Sequence, residues 1–195
     1  EVQRESGERG LEGLGVLWVG RAQKHTRMVA SGTGLLFLAA FAALNAWSDG
    51  LDTPTFVLMT GVLSLSWMGG AWLWRTVDIG GSDDTNGLVS HILLGGGVVA
   101  WLSLIIDGSG RADVLSRHES LLALAAMAVT AVVWSAVSTR LRWAALGESA
   151  FVLWPFAFMA LEHQLAAGDG HPLPFEWQSL AWPAALAAAW HLLRW

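Results

Sequence analysis

Residues 28–47 read MVASGTGLLFLAAFAALNAW, and this stretch decides the fold class. Its polar side chains are limited to Ser31, Thr33 and Asn45, and it holds no charged residue. A helix of this length rises about 30 Å, which is the thickness of the hydrocarbon core of a bilayer. An outer helix of a soluble bundle needs a polar face, and this stretch has none. We therefore expect a transmembrane helix here.

Apolar segments of similar length follow along the chain. Three of them are free of Asp, Glu, Lys and Arg, whereas two weaker ones include Glu148 in one case and Gln178 and His191 in the other. The predicted spans are residues 28–47, 55–74, 87–106, 120–137, 144–161 and 177–193. The expected fold is all-α, a polytopic transmembrane helical bundle of about six spans.

Residues 1–27 precede this bundle, which occupies residues 28–195. The first ten residues are mostly polar, and residues 11–20 form an apolar stretch that is too short to cross a bilayer. This stretch is predicted to be either a short interfacial helix or the end of a truncated span.

The composition agrees with a membrane protein. Hydrophobic residues make up 54% of the chain and charged residues 14%, where soluble domains carry about a quarter. The absence of cysteine excludes disulfides and thiolate metal sites. The basic residues are scattered, so nucleic acid is not an expected partner. The expected partners are the lipid bilayer and other transmembrane helices, of the same or another protein.

The distribution of basic residues predicts an orientation. Seven basic residues fall on one side if the spans alternate, namely Arg21, Lys24, Arg27, Arg75, Arg140, Arg142 and Arg194. The opposite loops hold only Arg111 and Arg117 as basic residues. Cytoplasmic loops are enriched in Lys and Arg. We therefore predict a multi-pass protein of the bacterial inner membrane with a cytoplasmic C-terminus.

Two groups of residues inside the predicted spans indicate helix packing. Glycine permits close approach of helix backbones in membranes, and the spans hold Gly69 with Gly70 and the run Gly95, Gly96 and Gly97. Tryptophan residues 67, 134 and 154 lie deep in their spans and are predicted to pack against neighbouring helices.

Glu148 is the acidic residue that most invites a functional hypothesis. It lies about one turn inside the fifth predicted span, where desolvation favours the neutral carboxyl. It is a candidate proton carrier. The alternative is that it pairs with Arg142 or reaches water at the interface.

Histidine residues offer weaker candidates. His91 and His191 fall at similar predicted depth and could hold a haem, although single histidines at helix ends usually meet water or a carbonyl. The polar outer loop contains a cluster of Glu162, His163, Asp169 and His171. The sequence lacks HExxH and GxSxG motifs, so no metal, cofactor or catalytic residue is predicted, and enzymatic activity is not expected.

Three blocks together resemble the large bacterial inner-membrane proteins grouped as domain of unknown function 2339. They are LEGLGVLWVGRAQKHTRM at residues 11–28, RLRWAAL at 140–146 and HPLPFEWQSLAWPAALAAAWHLLRW at 171–195. The resemblance implies a C-terminal portion of a longer protein, with Glu12 matching an acidic family residue. Phe175 and Glu176 depart from the small residues of the family. It implies no catalytic residues.

Three function classes follow from these observations. The first is a structural or assembly component of a bacterial envelope system whose helices pack against partner helices. The second is a transporter or proton-coupled channel segment that uses Glu148. The third is a membrane-embedded enzyme or haem protein.

Overall fold

The computed structural model describes residues 2–48, 51–76, 83–111, 119–153 and 187. This part of the chain contains six helices and no strand. Five of the helices are α1 Val2–Ala22, α2 Thr26–Ser48, α3 Thr53–Arg75, α4 Asp83–Arg111 and α5 Glu119–Leu141. The sixth, α6, is Ala144–Leu153. The prediction of an all-helical chain is confirmed for these residues.

Three helices are long and apolar enough to cross a membrane. They are Thr26–Trp47, Thr53–Arg75 and Asn86–Gly108, and they coincide with the first three predicted spans. Two shorter apolar stretches, Ala125–Leu141 and Ala144–Leu153, fall where the fourth and fifth spans were predicted. The sixth predicted span, residues 177–193, lies almost entirely outside the described residues. The count of about six spans is therefore not confirmed.

The chain forms two compact units, residues 1–104 and 105–195. In the first unit, α3 is the central helix, with 61% of its apolar stretch buried against 28% for α2. Phe56, Met59 and Leu63 of α3 pack with Ala39 and neighbouring alanines of α2 in one core cluster. Small residues on α2 let the larger residues of α3 fill the space between them.

The start of α3 is set by local chemistry. The Asp52 carboxylate accepts a hydrogen bond from the Thr55 backbone N–H at 3.4 Å, and Pro54 occupies the first turn. An N-cap acid and a proline in the first turn are typical of helix starts. The hydrogen bond with the Thr55 side chain holds the pKa of Asp52 below its usual value against the opposing effect of desolvation, and the backbone N–H groups of Thr55 and Asp52 lower the pKa further.

The α1–α2 and α5–α6 connections have the same backbone geometry. Lys24 has a φ of 52° and Arg142 a φ of 50°. In the first connection the His25 N–H donates to the Gly20 carbonyl, and in the second the Trp143 N–H donates to the Ser138 carbonyl. Both are Schellman turns, which usually place glycine at the left-handed position. Here a basic residue occupies that position in each.

Helix α1 is longer than the apolar stretch at residues 11–20. It begins at Val2 and ends at Ala22, so most of the polar N-terminal segment is helical. Because its first half carries several charges, α1 does not qualify as a membrane-crossing helix, whereas α2, which packs against it, does. The helix extends beyond the apolar stretch because apolar residues mark the part of a helix that packs against other groups. They do not mark the residue at which the helix begins.

Candidate functional site: the exposed face of helix α1

Glycine residues bring α1 and α2 into direct backbone contact. A Cβ added at Gly32 would lie 2.6 Å from the Leu17 backbone nitrogen, and one added at Gly13 would lie 3.1 Å from the Gly32 carbonyl oxygen. Nearer the turn, a Cβ at Gly20 would lie 2.8 Å from the backbone nitrogen of Val29. Only glycine fits at these positions, so the two helices run closely side by side.

Helix α1 also packs against α3. A Cβ added at Gly69 would lie 3.2 Å from the Leu14 side chain, and one added at Gly10 would lie 3.5 Å from the Ser66 hydroxyl. The Arg21 guanidinium stands 5.4 Å from the centroid of the Trp72 ring, within the range of a cation–π interaction. Helix α1 therefore contacts both α2 and α3.

None of the described residues covers the opposite face of α1. Leu11 is 58% exposed and Trp18 59% exposed, and Glu12 and Gly15 on the same face are also exposed. No atom lies within 4 Å of a Cβ added at Gly15. Leu11, Glu12, Gly15 and Trp18 lie on one side of the helix and form a continuous strip over two turns, which we call the α1 face. Arg9 is exposed one turn before Glu12.

The level of Glu12 along α2 can be read from its neighbour. A Cβ at Gly13 would lie 3.1 Å from the Leu36 backbone nitrogen. Leu36 is ten residues after Thr26, the first residue of the 22-residue apolar helix. At 1.5 Å per residue this is about 15 Å, or half of a hydrocarbon core. Glu12 is therefore level with the middle of α2.

Indole groups connect α2 to α3. The Trp67 Nε1–H donates to the Leu36 carbonyl at 3.1 Å, and the Trp74 Nε1–H donates to the Thr33 hydroxyl at 2.7 Å. The Phe37 and Trp67 rings meet edge to face, with centroids 5.2 Å apart. Buried tryptophan N–H groups usually have such partners, although the Trp47 Nε1–H has none among the described residues.

Serine hydroxyls connect α3 to α4. The Ser64 hydroxyl donates to the Gly97 carbonyl at 2.7 Å and the Ser90 hydroxyl donates to the Ala71 carbonyl at 2.8 Å. The Trp67 ring occupies the space that a Cβ at Gly96 would need. In contrast, a Cβ at Gly95 would meet nothing. The prediction of close packing is thus confirmed for Gly96 and Gly97 and wrong for Gly95.

Charge is kept out of the described interior. The buried polar side chains there are all hydroxyl-bearing, among them Thr60, Ser64 and Ser135. The ionisable side chains whose exposure is described are all exposed, except Arg21, which is half-buried. In the same part of the chain, no three of the His, Asp and Glu residues lie close enough together to hold a metal ion. The interior chemistry is that of helix packing.

Two of the residues singled out from the sequence fall within the described helices. His91 is exposed on α4, and its Nδ1 lies 2.6 Å from the Gly87 carbonyl of its own helix. Glu148 is exposed on α6, as is Arg142 in the preceding turn. The haem pair cannot be assembled from the described residues, because His191 lies outside them. The outer cluster of Glu162, His163, Asp169 and His171 also lies outside them.

The α1 face was missed in the sequence analysis, although a signal for its buried side exists. Gly10, Gly13, Leu14, Leu17 and Gly20 recur at intervals of three and four residues, which is the spacing of one helix face. Reading that spacing would have placed Glu12 on the opposite side. No family profile, curated protein or solved structure matches this chain.

Proposed function

We propose that this chain is an integral membrane component that assembles with another membrane protein through the α1 face. In this proposal α2, α3 and α4 cross the bilayer. Helix α1 is not apolar enough to cross a bilayer by itself, and it lies in the bilayer packed against α2 and α3. A transmembrane helix of the partner covers Leu11, Glu12, Gly15 and Trp18. The membrane is the bacterial inner membrane, with the C-terminus in the cytoplasm, as the distribution of basic residues favours.

The observation that carries this proposal is the exposed carboxylate of Glu12, level with the middle of α2. A charged side chain at the centre of a bilayer costs roughly 2.5–3.5 kcal/mol on insertion scales. Membrane proteins place such groups against protein or water and seldom against lipid. A covering helix removes the carboxylate from lipid and supplies a partner for it.

The chemistry of the α1 face specifies the partner helix. Glu12 requires a Lys, Arg, Asn or Gln side chain near the middle of that helix, because these groups donate hydrogen bonds to a carboxylate. Gly15 leaves room for close approach of a second backbone. Leu11 and Trp18 supply apolar contact on either side. The expected partner is therefore an apolar helix with one polar residue at mid-depth.

Site-specific photo-cross-linking in cells tests this proposal. A photoreactive residue at position 11 is expected to give a protein adduct whose cross-linked segment is an apolar helix with a central Lys, Arg, Asn or Gln. The same residue at position 65 is the control, because Leu65 is 60% exposed near the middle of α3. Position 65 is expected to give lipid adducts only.

Charge reversal at Glu12 provides the second part of the test. Glu12→Lys is expected to abolish the adduct at position 11, whereas Glu148→Lys, which reverses an exposed acid on α6, is expected to leave it unchanged. An adduct that survives Glu12→Lys, or a cross-linked segment from the chain's own α1, contradicts the proposal. The second result would mean that α1 pairs with a second copy.

The other two function classes remain proposals with simple tests. A proton-coupled transporter that uses Glu148 would lose activity in Glu148→Gln. A haem protein that uses His91 and His191 would show a Soret band in the purified state. The packing chemistry of the described interior favours assembly over both, because the buried Ser64 and Ser90 hydroxyls donate to carbonyls of a neighbouring helix.

A further inference from the structure

The segment around the turn between α1 and α2 carries several basic residues and no acid. Residues 13–48 include Arg21, Lys24 and Arg27, together with His25, and contain no Asp or Glu. The preceding acid, Glu12, is nine residues from Arg21, which corresponds to about 13 Å along a helix. The turn is therefore a local concentration of basic groups within a protein of net charge −5.

The geometry of the turn presents these groups outward. Lys24, His25 and Arg27 are exposed. The left-handed backbone conformation of Lys24 forms the turn that carries them. Arg21 is half-buried and held 5.4 Å above the Trp72 ring. A guanidinium fixed over an indole keeps its other edge available to bind an anion.

The end of α3 belongs to the same edge of the unit. Trp72 lies under Arg21, and Trp74 donates to Thr33 of α2. Arg75, exposed, ends α3. Among the described residues of this unit, the acids that fall at this edge are Asp83 and Asp84, which begin α4, since the Ser90 hydroxyl donates to the Ala71 carbonyl. They belong to the helix that packs on α3, whereas the basic turn joins α1 and α2.

We infer that this edge binds the headgroup of an anionic phospholipid. The inference relies on the proposed function for one point, that α2 and α3 cross the bilayer. The edge then lies at one end of those helices, at headgroup level, where tryptophan side chains concentrate. The phosphate binds Lys24, Arg27 and the free edge of Arg21.

A bilayer lipid fits this edge better than a soluble phosphate. Basic groups adjacent to a membrane act on a surface already rich in anionic lipid. The indole rings of Trp72 and Trp74 lie at this edge and match the boundary between headgroups and acyl chains, a match that a soluble anion does not use. The occupant is thus a lipid with a net negative headgroup, such as phosphatidylglycerol.

Native mass spectrometry of the full chain tests this inference. The protein is released from nanodiscs that contain equal amounts of phosphatidylglycerol and phosphatidylcholine, and the retained lipids are counted. The expected result is retention of phosphatidylglycerol, and a fall of about tenfold in its retention in Lys24→Gln/Arg27→Gln. Lys24→Arg/Arg27→Lys, which keeps both charges, is expected to retain it.

The α5–α6 turn provides the matched control. It has the same backbone geometry and two basic residues, but Thr139 stands where Arg21 does in the first turn. Arg140→Gln/Arg142→Gln removes the same charge and is expected to leave retention of phosphatidylglycerol unchanged. An equal loss in both double variants would show nonspecific attraction and overturn the inference.

A second measurement distinguishes binding of a lipid phosphate group from binding of a free phosphate ion. If inorganic phosphate raises the thermal unfolding temperature as much as phosphatidylglycerol vesicles do, the site takes a free anion and the inference fails. If the chain does not insert into nanodiscs at all, the proposed function fails as well. Insertion without retained phosphatidylglycerol overturns the lipid site alone.

Discussion

The α1–α2 pair and the α3–α4 pair bring helices together by different means. In the first pair, Gly13 and Gly32 set one backbone directly against the other. In the second, Gly97 also lies close to the Ser64 carbonyl, and the Ser64 and Ser90 hydroxyls add hydrogen bonds to carbonyls of the facing helix. A backbone contact at glycine leaves no room for a side chain. A hydrogen bond from a serine hydroxyl can be removed with little movement of the two helices. The α1–α2 contact is thus rigid, which suits a helix that holds an acid level with the middle of α2.

The largest effect is expected at Gly32. In Gly32→Leu the new side chain meets the Leu17 backbone, which cannot move aside, so the cost is about 3 kcal/mol or more. Gly34→Leu is the control, because a Cβ there meets nothing within 4 Å. The measurement is the free energy of unfolding in an SDS titration of mixed micelles, followed by tryptophan fluorescence. Similar losses in both variants would show that α1 does not pack on α2.

The next effect is expected at Gly96, where the obstacle is a side chain. In Gly96→Leu the Trp67 ring has to swing away and its hydrogen bond to the Leu36 carbonyl is lost. A ring can move, so we expect a cost of about 2 kcal/mol, less than at Gly32. Gly95→Leu is the matched control and should unfold like the wild type in the same titration. A larger loss of unfolding free energy in Gly95→Leu than in Gly96→Leu would contradict the orientation of α4, in which Gly96 faces the Trp67 ring and Gly95 does not.

The serine contacts are expected to contribute less. Ser64→Ala removes one interhelical hydrogen bond, and such bonds in membrane proteins are worth about 0.6 kcal/mol on average. Ser66 is a buried control on the same helix, because its hydroxyl has no hydrogen-bond partner among the described residues. Ser66→Ala should therefore leave the free energy of unfolding unchanged or raise it. Equal losses in the two variants would show that the Ser64 bond contributes nothing.

The smallest effect is expected in the turns, and its sign is opposite. Lys24 and Arg142 adopt positive φ angles that glycine accepts without strain. Lys24→Gly and Arg142→Gly are each expected to stabilise by about 0.5 kcal/mol, because relief of strain exceeds the extra freedom of the unfolded chain. Thermal unfolding of each single variant measures this. Destabilisation in one turn only would mean that the basic side chain there makes a contact that outweighs the strain.

The sequence predicts the long apolar helices well because a bilayer imposes a simple rule. Gaps of about 20 residues without charge correspond to helices, and the second predicted span, residues 55–74, lies within Thr53–Arg75. These gaps do not predict which side of each helix faces its neighbours. Nothing in the composition distinguishes Gly95 from Gly96, yet only one of them faces Trp67.

The candidate site was less accessible from the sequence. Glu148 and His91 drew notice because they are polar residues in apolar segments, and both are exposed in the described structure. Glu12 drew no functional hypothesis, because a charged segment does not resemble a span. Its level along α2 comes from tertiary contact between the two helices and is not predicted by the polarity of α1. Contact between a polar helix and an apolar one cannot be deduced from either alone.

The depth of residue 11 tests the central claim most directly. The chain has no cysteine, so a nitroxide on Leu11→Cys or Lys24→Cys is a unique probe in reconstituted vesicles. We expect the probe at residue 11 to collide mainly with dissolved oxygen, because it lies level with the middle of α2. The probe at residue 24 should collide mainly with a water-soluble nickel chelate. Equal access of the nickel chelate to both positions would contradict the placement of the α1 face inside the bilayer.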